Sequence, residues 1–157
     1  MSNNEFCRPD WDTYFMDIAH VVATRGNCLR RRVAAVIVKD RRIISTGYNG
    51  TPRGIRNCCE GGCARCAGEA ASGEGLSECI CSHAEENAIT QSAYHGISLK
   101  EAVLYCTLSP CLTCAKMIIN SGIVEVVYET DYCFTSQTKS LFSESGMKFR
   151  QLIRNAV

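Results

Sequence analysis

The 157-residue sequence predicts an α/β fold, a sheet with parallel members and helices packed on it. Three observations predict it. An amphipathic stretch near the start precedes two short apolar runs joined by a polar turn. From residue 84 onward, helix-like and strand-like segments alternate. No internal repeat and no linker composition divides the chain. At this length a single domain buries an adequate core.

The first element is a helix. Trp11, Tyr14, Phe15, Ile18, Ala19 and Val22 share one face at helical spacing, and the pattern ends near Gly26. The run Val33–Val38 is nearly continuous in apolar residues, as a buried strand is. Lys39–Arg42 makes a polar turn into Ile43–Gly47, so the pair reads as a hairpin. Between Tyr48 and Ser82 periodicity disappears and glycines crowd in, which leaves a stretch that no core would order. Regular structure resumes with a helix from Ala84 to about Tyr94 and a strand over Ala102–Thr107. A helix over Pro110–Ser121, stopped by Gly122, leads to a strand over Ile123–Tyr128. A last helix around Thr138–Ser145 precedes a strand over Met147–Ile153.

Composition narrows the function. Lys+Arg 17 against Asp+Glu 16 gives +1, too little for a broad face that grips a nucleic-acid backbone. No apolar run reaches the roughly 20 residues that cross a bilayer. The polar, acidic opening lacks a secretory profile. The 12 cysteines therefore point to a reducing compartment, the cytoplasm, where thiols persist as metal ligands or nucleophiles. Their close pairs, Cys63 with Cys66, Cys79 with Cys81 and Cys111 with Cys114, favour metal.

Two segments carry chemistry. Ser82-His83-Ala84-Glu85-Glu86-Asn87 and Ser109-Pro110-Cys111-Leu112-Thr113-Cys114 each open a predicted helix. Cys111 and Cys114, at i and i+3, project to one side. The positive end of the helix dipole favours their thiolates. With His83 they make a three-ligand zinc site that keeps a fourth position for water. Zinc lowers that water's pKa to about 7. Glu85, two residues from His83, is placed to take the water's proton and hand it to a leaving amine. This is the equipment for hydrolytic deamination of an amidine-like ring carbon, and H-x-E with P-C-x-x-C is the pattern that zinc deaminases carry. The competing reading is a closed structural site in which another cysteine is the fourth ligand. Cys79-x-Cys81-x-His83, extended, would turn three donors the same way.

At these residues the chain resembles the cytidine and deoxycytidylate deaminase superfamily, and more narrowly the deoxycytidylate (dCMP) deaminases of eukaryotic and phage type. The resemblance runs through residues 11–16, 32–38, Thr46-Gly-Tyr-Asn-Gly-Thr-Pro-Arg53, His83-Ala-Glu-Glu-Asn-Ala-Ile89, Pro110–Lys116 and Gly122–Tyr128, which together span nearly the whole chain. It implies a three-layer α/β/α fold with a mixed sheet of about five strands. One deaminase domain would cover 1–157, with a cysteine- and glycine-rich zinc-binding insert at about 54–82. It implies hydrolysis of dCMP to dUMP and ammonia, supplying thymidylate synthesis. It also implies activation by dCTP, inhibition by dTTP and a homo-oligomer, often a hexamer. No membrane and no nucleic acid are expected as partners. Ala34 departs from the glycine common in relatives, which adds a methyl and leaves the chemistry alone.

Further residues follow from the resemblance. His83, Cys111 and Cys114 would hold the catalytic zinc, and Asn49 would reach the sugar hydroxyl. Asn49-Gly50 reads equally as turn chemistry. Arg25 would meet the 5′-phosphate, or is a solvated cation at a helix C-terminus. Tyr132 would close over the site, or is a surface tyrosine. Relatives of phage type carry a structural zinc, for which Cys28, Cys58, Cys63, Cys66, Cys79 and Cys81 form the candidate set here. Six ligands exceed one tetrahedral ion unless two stand by or a further zinc binds. Cys59 adds ambiguity beside Cys58. Cys7, Cys106 and Cys133 are solitary, and Cys106 reads as a small buried hydrophobe. Rival functions are a tRNA adenosine deaminase, a free cytidine deaminase and, outside the enzymes, a zinc-stapled interaction module with no use for Glu85.

Overall fold

The computed structural model describes residues 7–132 and 135–154, so Cys133 lies outside the described residues. Helix α1 (Trp11–Ala23) starts at Asp10, whose carboxylate accepts from the Thr13 N–H at 2.8 Å. Strands β1 (Ala34–Lys39) and β2 (Arg42–Tyr48) form the expected hairpin. Asp40 and Arg41 both take positive φ, 50° and 59°, as a two-residue turn between twisted strands requires. A one-turn helix α2 (Ala64–Ala67) and two 3-10 turns (Cys58–Glu60 and Leu76–Glu78) are the regular structure of the cysteine-rich stretch. Then follow α3 (Ala84–His95), β3 (Val103–Leu108), α4 (Leu112–Asn120), β4 (Glu125–Thr130), α5 (Thr135–Glu144) and β5 (Lys148–Gln151).

The five strands form one mixed sheet in the order β2-β1-β3-β4-β5. β1 runs antiparallel to both neighbours, whereas β3, β4 and β5 are parallel. The parallel pairs are joined through α4 and α5, as crossover connections demand. Period-two alternation sorts the core into two halves. Val36, Val38, Tyr105 and Val127 pack with Phe15, Met16 and Ala19 of α1. Ala35, Ile37, Leu104, Cys106, Val126 and Tyr128 face the opposite side and pack with α3, α4 and α5. The result is the three-layer α/β/α arrangement. Cys106 is fully buried among these apolar side chains.

Several boundaries differ from expectation. α4 begins at Leu112 rather than Pro110, because Cys111 is its extended N-cap, with φ −74° and ψ 169°. β4 begins at Glu125 because Gly122, at φ +88°, turns the chain first. Ile123 still reaches the core, but ahead of the ladder.

Candidate functional site

The site is built where two helices begin. α3 lies across β2, and Gly47 makes that crossing feasible. A Cβ there would meet the Ala84 carbonyl oxygen at 2.1 Å and the Ala88 nitrogen at 2.4 Å. The buried Ser45 hydroxyl donates to the Ala88 carbonyl at 2.7 Å, and the Asn87 side-chain amide donates to the Tyr48 carbonyl at 2.8 Å. These contacts fix the start of α3, whose N-cap is His83. The His83 N–H donates to the Glu86 carboxylate at 3.2 Å, which satisfies a helix-end donor.

β3 delivers the other donors. Its end runs into the buried Ser109 and Pro110, and the Ser109 N–H donates to the Thr130 carbonyl at 2.8 Å. Cys111 then caps α4, and Cys114 lies one turn along. His83 Nδ1 is 3.4 Å from the Cys111 sulfur and 3.4 Å from the Cys114 sulfur. Zinc bonded to sulfur at about 2.3 Å and to imidazole at about 2.1 Å keeps tetrahedral nitrogen and sulfur about 3.6 Å apart. The two helix N-termini add positive potential for thiolates. The donor set therefore fits zinc, and among the described residues the group closes at three. Cys79 and Cys81, which alternate with His83, belong to another group, so among the described residues the closed-site reading finds no fourth cysteine there.

Electrostatics single out the same residues. Cys114 beside Cys111, with His83, holds the Cys111 thiol down to about 4 against burial. Its hydrogen bond with Cys111, and then burial, push Cys114 up. His83 rises to about 9 because it bonds that thiolate. Glu85 is buried at 4% exposure, and its Oε2 is 3.8 Å from the Cys114 sulfur. Loss of water lifts its carboxyl to about 7.

His83, Glu85 and Cys111 line a cavity of about 250 Å³. Asn49 and Tyr132 also line it. The Asn49 Oδ1 accepts from the Val33 N–H and its Nδ2 donates to the Arg31 carbonyl, both at 2.9 Å. One acceptor lone pair and one N–H of that amide remain. The Asn49–Gly50 pair forms no hairpin turn, for Gly50 bridges Ser82 and closes the base of the insert. The Tyr132 N–H donates to the Ser109 hydroxyl at 2.7 Å. Arg25 lies exposed beyond α1 and is not among the lining residues. The lining cations are Arg30, Arg31 and Arg65. Arg30 donates to the Cys66 and Gly68 carbonyls, and Arg65 to those of Ala71 and Glu74. Arg31 instead donates to the Ser72 hydroxyl and lies over the Tyr132 ring, 5.3 Å from its centroid. The run of three arginines at 30–32 was the sequence signal for it, but only the fold tells Arg31 from its neighbours.

All six cysteines of the insert set come together. Sulfurs of Cys28, Cys58, Cys66 and Cys81 lie within 4.8 Å of one another, as do those of Cys63, Cys66, Cys79 and Cys81. Cys59 is exposed and stands outside both groups.

Residues 9–130 match the family model for the cytidine and deoxycytidylate deaminase zinc-binding region. The chain is 48% identical over 153 residues to a deoxycytidylate deaminase of Schizosaccharomyces pombe, covering 98% of this chain and 47% of that protein. It is 44% identical over 144 residues to a deoxycytidylate deaminase of Saccharomyces cerevisiae, covering 92% of this chain and 45% of that protein. The chain thus spans about half the length of the fungal relatives it matches. The crystal structure of a dCMP deaminase from the cyanophage S-TIM5, in complex with dCMP and dUMP, superposes with a TM-score of 0.76 at 30% identity. That likeness covers 93% of this chain and 99% of the other.

Proposed function

The chain belongs to the cytidine and deoxycytidylate deaminase family, and from that premise we propose that it hydrolyses dCMP to dUMP and ammonia. One observation carries the reading. A buried carboxyl, Glu85, stands 3.8 Å from the sulfur of Cys114, beside a three-donor group that opens on a cavity.

His83, Cys111 and Cys114 would hold the catalytic zinc, which supplies a Lewis acid able to make water nucleophilic near neutral pH. Glu85 Oε2 accepts a proton from the attacking water and returns it to the exocyclic amine as the carbon–nitrogen bond breaks. Its burial keeps that proton from exchanging freely with bulk water. Asn49, already anchored to the backbone of residues 31 and 33, spends its remaining amide groups on the sugar hydroxyl. Arg31 takes the 5′-phosphate, with Tyr132 packed beneath its guanidinium. This assignment is favoured over Arg25 because Arg31 lines the cavity and has no carboxylate partner among the described residues. The insert cysteines hold at least one structural zinc. On the same premise the product feeds thymidylate synthesis in the cytoplasm, and a homo-oligomer responds to dCTP as activator and dTTP as inhibitor.

The test is ammonia release from dCMP, dCTP, deoxycytidine and adenosine-bearing tRNA, measured side by side with and without added dCTP and dTTP. Fastest turnover of dCMP is expected. Preferred turnover of tRNA, or none of any substrate by zinc-loaded protein, would overturn the reading.

A further inference from the structure

The six insert cysteines pose an accounting problem. They come from three stretches of chain: Cys28 precedes β1, Cys58, Cys63 and Cys66 lie around α2, and Cys79 and Cys81 lead back to α3. Cys58, Cys63, Cys66 and Cys81 form the buried cluster of this region with Cys28 and Cys79 packed against it, while the large aliphatic side chains Ile55, Leu76 and Ile80 are exposed at 50%, 46% and 44%. A region that turns thiols inward and aliphatics outward is organised around something that binds sulfur. One tetrahedral ion needs four of the six. One buried and one partly buried thiol would then be left against the others with no role.

The grouping resolves this. The two sets of four share Cys66 and Cys81. Cys28 and Cys58 complete one set, and Cys63 and Cys79 complete the other. Zinc bonded at about 2.3 Å to four sulfurs spaces them about 3.8 Å apart. The observed spacings are 3.8 Å for Cys28–Cys66, 4.0 Å for Cys66–Cys81, 3.9 Å for Cys63–Cys79 and 3.7 Å for Cys66–Cys79. These are edges of two tetrahedra that share the Cys66–Cys81 edge.

We propose that the insert holds a two-zinc, six-thiolate cluster in which Cys66 and Cys81 bridge the ions, Cys28 and Cys58 end one side, and Cys63 and Cys79 end the other. Every cysteine of the set is then a ligand and each ion is four-coordinate. Two dications against six thiolates leave a net charge of −2, beside Arg30, Arg31 and Arg65. Backbone N–H groups of Leu29 and Arg30 point at the sulfurs of Cys58 and Cys28, each at 3.4 Å, as donors to metal-bound thiolates do. Cys28, Cys66, Cys79 and Cys81 also line the cavity, so the cluster forms part of its wall. The proposal rests on the reading of the insert as a structural zinc site and deepens it, since with the His83 site the chain would bind three zincs.

Zinc-loaded protein, freed of loose metal, is analysed for zinc per chain by mass spectrometry. The same protein exchanged with an NMR-active cadmium isotope is analysed by cadmium NMR. Three zincs per chain are expected, together with two all-sulfur cadmium resonances split by mutual coupling through the shared sulfurs. Because both ions bond the same sulfurs, X-ray absorption would place them no more than about 4.6 Å apart. The double variants Cys28→Ser with Cys58→Ser, and Cys63→Ser with Cys79→Ser, should each bind two zincs instead of three and lose the coupling. Two zincs in the unmodified chain, uncoupled resonances, or a double variant that keeps the full count would overturn the cluster. Two zincs would leave a single structural site standing, whereas one zinc would remove that reading too. The wild-type measurements decide the matter even where a variant does not fold.

Discussion

The two sulfur-rich groups of this molecule have nearly the same donors, and the proposed function puts them to opposite ends. The His83 group has three donors at the N-termini of α3 and α4, helices that are packed on the sheet core. A buried carboxyl adjoins it. The insert group has six donors on loops that bury little besides their own sulfurs, and no carboxylate joins either of its quartets among the described residues. A reactive metal needs an open position, a proton carrier and a frame that the metal itself does not supply. A structural metal needs saturated ligands and becomes the frame. On the proposed function the mixed nitrogen and sulfur set would be the first and the all-sulfur set the second.

The largest expected effect breaks this comparison if it fails to appear. Glu85→Gln keeps volume and removes the proton carrier, so kcat should fall by about two to four orders of magnitude. Zinc content and melting temperature should stay near wild type, because Glu85 lies outside the three-donor group. Retained turnover would show that the carboxyl beside the trio is not the feature that separates the two sites.

Removing metal from the insert should act on order rather than on chemistry. A chelator that strips the all-sulfur site should leave amides of about 54–82 open to rapid hydrogen exchange. The ladder of β1, β3 and β4 should stay protected. Measured by mass spectrometry, a protected insert in metal-free protein would mean that Arg30 and Arg65, through their bonds to insert carbonyls, hold the loop unaided.

The three-donor group was legible because its donors lie within short, local patterns. His83 and Glu85, and Cys111 and Cys114, are separated by spacings that secondary structure alone turns into directions. The strands were legible through apolar runs, within a residue or two at their ends. What the sequence hid depends on contacts between distant segments. Gly47 looked like a strand terminus until the crossing of α3 left no room for a Cβ. Pro110 suggested a helix start, yet the extended geometry of Cys111 moved it two residues on. The division of six cysteines into two groups sharing a pair rests on where Cys28 meets the insert, and spacing holds no information on that. Arg25 and Arg31 are both cations near the first strand, and only the folded chain sets one of them into the cavity.

Arg31 supplies a smaller test, one that ties the two regions together since it spans insert and cavity. Arg31→Ala should raise KM for dCMP about tenfold or more, the worth of a charge-assisted bond to phosphate. KM for deoxycytidine, which has no phosphate, should change little. Equal losses on both substrates would assign Arg31 to holding Ser72 and the insert rather than to the substrate.

The smallest effect concerns the face remote from both sulfur groups and serves as the control on them. Asp12, in the first turn of α1, accepts from the Tyr105 hydroxyl at 2.8 Å and pairs with Arg150 of β5 at 2.6 Å. The Arg150 guanidinium holds the Asp12 carboxyl below its usual range, against a partial loss of water. A carboxyl depressed on folding contributes stability above its unfolded pKa of about 3.9, and that contribution is lost as pH falls through the folded value. The pair is partly solvated, so Asp12→Asn should cost about 1 kcal/mol or less, a fall in melting temperature of no more than about 2–4 °C. The gap between variant and wild type should be constant from about pH 5 to 8 and narrow below about pH 4. Zinc content and kcat should not move. If they did, α1 and β5 would be coupled to the helix N-termini across the sheet, and the contrast between the two sulfur groups could no longer be read as a local property of each.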